Sequence, residues 1–518
     1  MKFSQYFLAI DNGTQSVRVL VFDNQGNEVA KSKVQLDAYI SEHPGWAEQD
    51  PQYYWDSLRK AFDGLWATGK VRPEEVRGVS LTTQRYTMIN LDEKKKPLRP
   101  AIVWMDQRKA VAQESLGGII GFGIKLLGLS NLIDDLRSKS RCNWIAQNEP
   151  EIWRKTRYYV SLSAYLTYKL IGELKDATGS TMGYLPYDYK RQRWAKKSDL
   201  KWKLLSCTRN MMPELVKTGE LLGHISQEAS KMTGLPAGLP MIAAASDKAC
   251  EVLGAGGSEP HIGCLSYGTT ATINTTTSKY IEILPFIPPY TAAIPGFYNT
   301  EMMVYRGFWM VNWFKNEFAH YEQRKAKELG LEAEQLFDDL LNKVPAGSMG
   351  LMMQPYWSPG VRQPGPEGKG ALIGFGDVHK RAHVYRAILE GLAYELRQGK
   401  ERIEKRSRVP ITRLRVSGGG SQSDAAMQIT ADIFGLTAER PHTYEASGLG
   451  AAINCAVGLG EYLNFPMAIQ NMTRKGDVFE PHYPTVQLYD RLYKEVYLKM
   501  YKRLKPLYQS IREITGYP

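Results

Sequence analysis

An apolar run over residues 6–10 (YFLAI) stops at the polar stretch DNGT, and hydrophobic positions then resume in VRVLVFD. The pattern over LAIDNGTQSVRVLVFD (8–23) predicts a buried strand, a tight Gly-Thr turn and a second strand. The same pattern returns in the second half of the chain as LSYGTTATINTTTS (265–278). A glycine lets the backbone come close to a ligand, while neighbouring Thr or Ser hydroxyls and amides can face phosphate oxygens. One such turn is a hairpin; two suggest a duplicated fold that grips one polyphosphate from both sides. Asp11 stands where the first strand should end, placed to hold a magnesium ion or its waters. A lone Asp-x-Gly would read better as a turn cap, and the partner hairpin reverses that in favour of ATP and Mg2+.

Strands and helices alternate through the rest of the chain. VRGVSLTTQ (76–84) and AIVWMDQR (101–108) read as buried strands ending in polar side chains, and GLPMIAAASDKACEVLGAGG (238–257) as a strand, a small-residue turn and a helix. Ligands of open α/β sheets bind at strand ends. That rule marks Gln84, Arg85, Tyr86, Trp104, Asp247 and Lys248 as candidate site residues. Asp247 could equally cap its helix, and Tyr86 and Trp104 could be core aromatics. Glycines and Pro260 interrupt the pattern near 256–259, which places a boundary between domains 1–257 and 258–518. In the second domain, VYRAILEGLAYELRQGKERI (384–403) has helical apolar spacing, and LRVSGGGSQSDAAMQITADIFG (414–435) reads as strand, glycine turn and helix. The glycines at 418–420 could by themselves be only a tight turn. Leu, Tyr and Val at helical spacing in LYDRLYKEVYLKMYKRLKPLYQSI (488–511) predict a docking helix.

With 518 residues, 43% hydrophobic and 23% charged, the chain has the composition of a globular protein with at least two ordinary cores. The net charge of +12 is spread along the sequence, as in KRQRWAKKSDLKWK, with no nucleic-acid motif beside it. It reads as solvated surface with a bias toward anionic substrates. The five cysteines, Cys142, Cys207, Cys250, Cys264 and Cys455, show no metal-ligand spacing and fit a reducing, cytoplasmic setting. Residues 115–133 (SLGGIIGFGIKLLGLSNLI) hold five glycines and Lys125, which favours a substrate-side loop with a short helix, or an oligomer contact that would admit a homodimer, over a membrane span.

Taken in order, these pieces resemble the FGGY family of carbohydrate kinases along nearly the whole chain. The resemblance implies a two-domain α/β fold of the actin, hexokinase and Hsp70 type (ribonuclease H-like), with a central ATP and sugar cleft. DNGTQSVR (11–18) is similar to the family's first phosphate motif, which implies phosphate contacts for Gly13, Thr14 and Arg18 and a metal role for Asp11. Asp247 in AAASDKA stands where the family keeps its catalytic aspartate, as base and second metal-side carboxylate. Gly268, Thr269 and Thr270 match the second phosphate motif, and Gly418, Gly419, Gly420 and Ser423 the adenosine motif. GALIGFGDVHKRAHVYRAILEG (370–391) follows a family signature, with Phe375 in place of a smaller aliphatic residue.

For the substrate, the resemblance is divided. Glycerol kinases carry Arg then Glu where TTQRYT (82–87) has Arg85 then Tyr86, and xylulokinases carry a Met-His pair that is also absent. Lys248 replaces a usual amide and could meet an acidic substrate group or tune Asp247. PYWSPGVRQPGPEGKGALIGF (355–375) is closer to xylulokinase-like members, so a pentulose or related polyol is expected, with glycerol or a sugar acid as alternatives. A different class remains conceivable, an ATP-binding scaffold or regulator without sugar transfer, but retention of Asp247 speaks against it.

Overall fold

The computed structural model describes residues 5–111, 126, 130–358, 360 and 364–516. The chain forms two compact units. The first comprises Met1–Gly254, Tyr290–Tyr298 and Ser447–Thr473, and the second Ala255–Pro289, Asn299–Ala446 and Arg474–Pro518.

In the first unit, strands β1 (Tyr6–Asn12), β2 (Ser16–Phe22), β3 (Glu28–Gln35), β4 (Val76–Thr83), β5 (Leu221–His224) and β6 (Pro240–Ala243) make a six-stranded sheet in the order β5-β6-β4-β1-β2-β3. β4 runs parallel to both β1 and β6, while the β1–β2, β2–β3 and β5–β6 pairs are antiparallel. Side chains alternate across the strands, so Leu8 and Ile10 face one core and Phe7 and Ala9 the other. The first face is covered by α1 (Pro51–Ala67), which starts at an Asp50 cap and a first-turn proline and buries Tyr54, Leu58, Ala61 and Leu65. The second is covered by α2 (Asp247–Gly254) and by the small-residue helix Ala446–Gly458, whose Ala451, Ile453 and Cys455 join its core.

A single cut after residue 257 therefore misses a return of the chain. The return depends on close approach, because a Cβ on Gly450 would fall 1.9 Å from the Cys250 carbonyl oxygen. No hydrophobic period announces it, since this helix is buried on nearly every side.

The second unit repeats the plan with β7 (Ile262–Tyr267), β8 (Ala271–Thr277), β9 (Tyr298–Val304), β10 (Arg413–Ser417), β11 (Ala438–Pro441) and β12 (Lys475–Phe479), ordered β12-β11-β10-β7-β8-β9. Here too the hairpin β7–β8 is antiparallel, β10 is parallel to β7 and β11, and the edge pair β11–β12 is antiparallel. The duplication expected from the two Gly-Thr turns thus extends to the hairpin and the parallel strands beside it, whereas the antiparallel edge strand precedes its neighbour in the first unit and follows it in the second. The long helix α3 (Arg381–Ser407) and α4 (Asp424–Phe434) pack on this sheet. The C-terminal helices dock as expected: Tyr489, Tyr493 and Tyr497 are buried, and their hydroxyls donate to Glu390, Glu401 and Glu395 of α3.

One strand expectation fails. Of residues 101–108 only Ala101–Ile102 is strand. The next residues turn, because the buried Asp106 carboxylate accepts the Ala47 N–H at 2.7 Å and pairs with Arg108, whose guanidinium lies over the Trp46 and Trp144 rings. Local charge pairing overrides the apolar pattern there. Most of segment 115–133 lies outside the described residues. Among the described residues, no helix is long and apolar enough to cross a membrane. All five cysteines are free and buried.

Candidate active site

The first hairpin ends on a turn closed by the Gly13 N–H donating to the Ser16 carbonyl at 3.0 Å. Its register places Asp11 opposite Arg18, and the guanidinium meets the buried carboxylate at 3.3 Å. Two residues expected on the metal and the phosphates are thus joined to each other. Gly13 needs no left-handed backbone, and a Cβ there would meet only the Ser16 carbonyl oxygen at 3.6 Å. Its value is the low profile it gives the turn. The Thr14 hydroxyl accepts the Trp104 indole N–H at 2.9 Å, so Trp104 supports the turn. Gln84 is buried, its backbone N–H donating to the Asn12 carbonyl and its side-chain amide to Tyr54 Oη at 3.3 Å.

At the end of β6, Ser246 and Asp247 lead into α2. The Ser246 N–H donates to the Gly179 carbonyl at 3.0 Å, which ties this strand end to the segment that follows Asp176. Asp247 Oδ1 accepts the Lys248 backbone N–H at 2.7 Å. Burial holds the Asp247 carboxyl above the ordinary carboxylate range, while the nearby charges of Arg85 and Lys248 pull it part of the way back. Lys248 Nζ pairs with Glu251 at 2.7 Å, one turn along the helix. Asp11 and Asp247 both lie near enough to the Cys250 thiol to oppose its ionisation, adding to the burial that pushes it up to about 12. Both amide atoms of Asn12 and the Ser246 hydroxyl are buried without hydrogen-bond partners among the described residues. These strand ends therefore carry hydrogen-bonding capacity that the chain leaves unused.

The wall beside Asp247 is aromatic. Arg85 lies over the Tyr290 ring, 5.0 Å from its centroid. Tyr86 adopts φ 54°, a strained value for a bulky side chain. Its hydroxyl is turned inward and buried, and its ring packs against Tyr184 and Arg141. A Cβ at Gly183, where φ is +100°, would sit 2.1 Å from that ring. Sequence reasoning misses Arg141, Gly183, Tyr184 and Tyr290, because none falls at an expected strand end or in a periodic pattern.

In the second unit the Gly268 and Thr269 carbonyls accept the N–H groups of Phe308 and Trp309, at 3.0 and 3.4 Å. Thr269 is exposed and Thr270 is buried. In the glycine turn, a Cβ on Gly418 would lie 2.8 Å from the Tyr267 carbonyl oxygen and one on Gly420 2.3 Å from the Phe308 ring, whereas one on Gly419 would meet nothing within 4 Å. Ser423 caps α4, accepting the Ala426 N–H, and donates to Asp338. Arg440, also missed from sequence, donates to the Ser421 carbonyl at 2.7 Å and pairs with Asp424 and Asp477.

Each unit carries an antiparallel hairpin closed by a Gly-Thr turn, and residues 6–254 match the family model for the N-terminal domain of the FGGY carbohydrate kinases while residues 263–459 match that for their C-terminal domain. The chain belongs to the FGGY family of carbohydrate kinases. This FGGY kinase is 29% identical to the uncharacterised sugar kinase YgcE of Escherichia coli strain K12, covering 98% of this chain and 96% of that one. It is 27% identical to a xylulose kinase of Staphylococcus epidermidis strain ATCC 12228, covering 98% and 99%. Among solved structures, gluconate kinase from Lactobacillus acidophilus shares the fold with a TM-score of 0.81 at 20% identity, over 98% of this chain and 99% of the other. Like the rest of the family, this kinase uses ATP.

Proposed function

We propose that the protein transfers the γ-phosphoryl group of ATP to a hydroxyl of a pentulose or related polyol, with Asp247 as the general base. The observation that carries this reading is the Asp247 carboxyl itself. It sits at a strand end, raised by burial toward the range where it can accept a proton, and faces the charge of Arg85. Phosphoryl transfer asks the protein mainly for positioning and charge stabilisation. Thr14 and Arg18, with Gly268, Thr269 and Thr270, are the residues we assign to the phosphates, and Gly418, Gly419 and Gly420 to the adenosine. Ser423, already committed as a helix cap, is assigned to holding that turn.

Among the described residues no cluster of three metal-ligating side chains occurs. The pair of carboxylates at Asp11 and Asp247 still fits Mg2+, which is commonly held by one or two carboxylates together with substrate phosphates and waters. When bound it would supply neutralisation of phosphate charge. Arg18 keeps the Asp11 carboxylate oriented meanwhile.

Similarity over the full length to a xylulose kinase supports a pentulose. Arg85 offers N–H donors to sugar hydroxyls, and the aromatic wall of Tyr290 and Tyr184 offers ring faces for a carbon backbone. A sugar acid is the second reading, favoured by the two cations, Arg85 and Lys248, beside Asp247. ADP release measured with D-xylulose, D-ribulose, glycerol and D-gluconate separates them. A pentulose should exceed glycerol in kcat/KM by about tenfold or more, the effect of one poorly paired hydroxyl in a buried site. Glycerol matching every pentulose would make this a glycerol kinase, and gluconate leading the panel would establish the acid reading.

The phosphate turn gives a separate expectation. Thr14→Val keeps the volume, removes the hydroxyl and leaves the Trp104 N–H without its acceptor. KM for ATP should rise by about tenfold, as expected from one lost hydrogen bond of roughly 1–1.5 kcal/mol. Sugar affinity measured by calorimetry without ATP should stay unchanged, and equal damage to both would indicate misfolding instead.

A further inference from the structure

Arg141 is the first residue of the helix Arg141–Asn148 and is only 5% exposed. A guanidinium is poorly placed there on two counts. It faces the positive end of the helix dipole, and among the described residues it has no carboxylate partner to offset its lost hydration. What holds it is a set of neutral groups from two other segments. Nη1 donates to the Tyr86 carbonyl, Nη2 donates to the Val103 carbonyl at 2.9 Å, and the guanidinium lies 4.2 Å from the centroid of the Tyr86 ring.

Those two carbonyls belong to the two turns that carry the candidate site. Tyr86 follows Arg85, and Val103 precedes Trp104. Past the pair Met88 and Ile102 no strand ladder joins these turns. Tyr86 is moreover held at φ 54°, a conformation that the surrounding structure must maintain. A planar fork that bonds two carbonyls while stacking on a ring is a task for Arg and not for Lys.

We propose that Arg141 is a positioning residue for the sugar pocket, clamping residues 84–87 to Val103 so that Arg85 is held toward Asp247. It acts through Tyr86 and Val103 and touches no substrate. The inference rests on the reading of this pocket as the sugar site.

Arg141→Lys keeps the charge, loses the fork and can serve only one carbonyl at a time. Amide hydrogen exchange on the full chain without sugar should show peptides covering 84–87 and 103–106 exchanging on the order of tenfold faster, with the sheet strands unchanged. In steady-state assays with D-xylulose, KM for the sugar should rise by about tenfold while KM for ATP holds, the split expected when one binding wall loosens. Arg141→Met should show the same split more strongly; if it fails to fold, the Lys variant decides alone. Unchanged exchange in the two peptides, or a rise in KM for ATP equal to that for the sugar, would overturn the proposal. Should the unsubstituted protein phosphorylate no sugar at all, the function proposed above falls, while the exchange measurement still decides whether Arg141 clamps the turns.

Discussion

Asp247→Asn is expected to lower sugar-dependent turnover by a factor on the order of a hundred to ten thousand, the usual contribution of a general base, with the fold and ATP affinity retained. Asn keeps the shape and still accepts the Lys248 N–H, which Asp247 Oδ1 now receives at 2.7 Å. It cannot take a proton. The pH profile should carry the same signature. A base works only when ionised, so turnover falls as the pH drops through its pKa. Burial raises that pKa, so the acid limb should lie above the value for an exposed aspartate. Arg85 pulls the pKa down, so Arg85→Gln should move the limb to still higher pH. A loss below about tenfold in Asp247→Asn would be too small for a base, and an acid limb that ignores Arg85 would place the titrating group elsewhere.

Gly418→Ala should damage the second unit far more than Gly419→Ala. Gly418 has φ 88° and ψ 170°, a region essentially closed to residues with a Cβ, and the new methyl would lie 2.8 Å from the Tyr267 carbonyl oxygen. Backbone strain of this kind costs about 1–3 kcal/mol before the clash is counted. Thermal unfolding should shift down by several degrees, at roughly 2–4 °C per kcal/mol for a body of this size, and KM for ATP should rise together with it. Gly419→Ala is the contrast, since its methyl meets nothing within 4 Å. It should leave the melting temperature in place and raise only KM for ATP. Equal melting temperatures for the two variants would mean that the turn is not held as described.

Much of this arrangement is legible in the chain because it is written in short-range patterns. Each Gly-Thr hairpin pairs an apolar run with a turn, and strand-end logic leads directly to Asp247. The duplication then predicts a second sheet, which repeats the hairpin and the parallel strands beside it. What the sequence conceals depends on distant contacts. Strand-end logic makes Trp104 a candidate site residue but does not show that its indole supports Thr14, a bond across 90 positions. Arg141 carries no local signal, since its partners Tyr86 and Val103 are 55 and 38 positions away. The strand expected after Ile102 yields to an aspartate that captures a main-chain N–H from Ala47. Residues 447–473 return to the first unit with Gly450 packed on Cys250, which lies far upstream.

On the proposed mechanism, the γ-phosphoryl group of ATP passes directly to a sugar hydroxyl while Asp247 accepts the hydroxyl proton. Phosphorus NMR of the protein with ATP, Mg2+ and D-xylulose reads this most directly. A new phosphate monoester resonance should grow in step with ADP, without matching inorganic phosphate, and should be nearly absent with Asp247→Asn. ADP appearing with inorganic phosphate and no ester, or an ester forming equally fast in Asp247→Asn, would contradict the account.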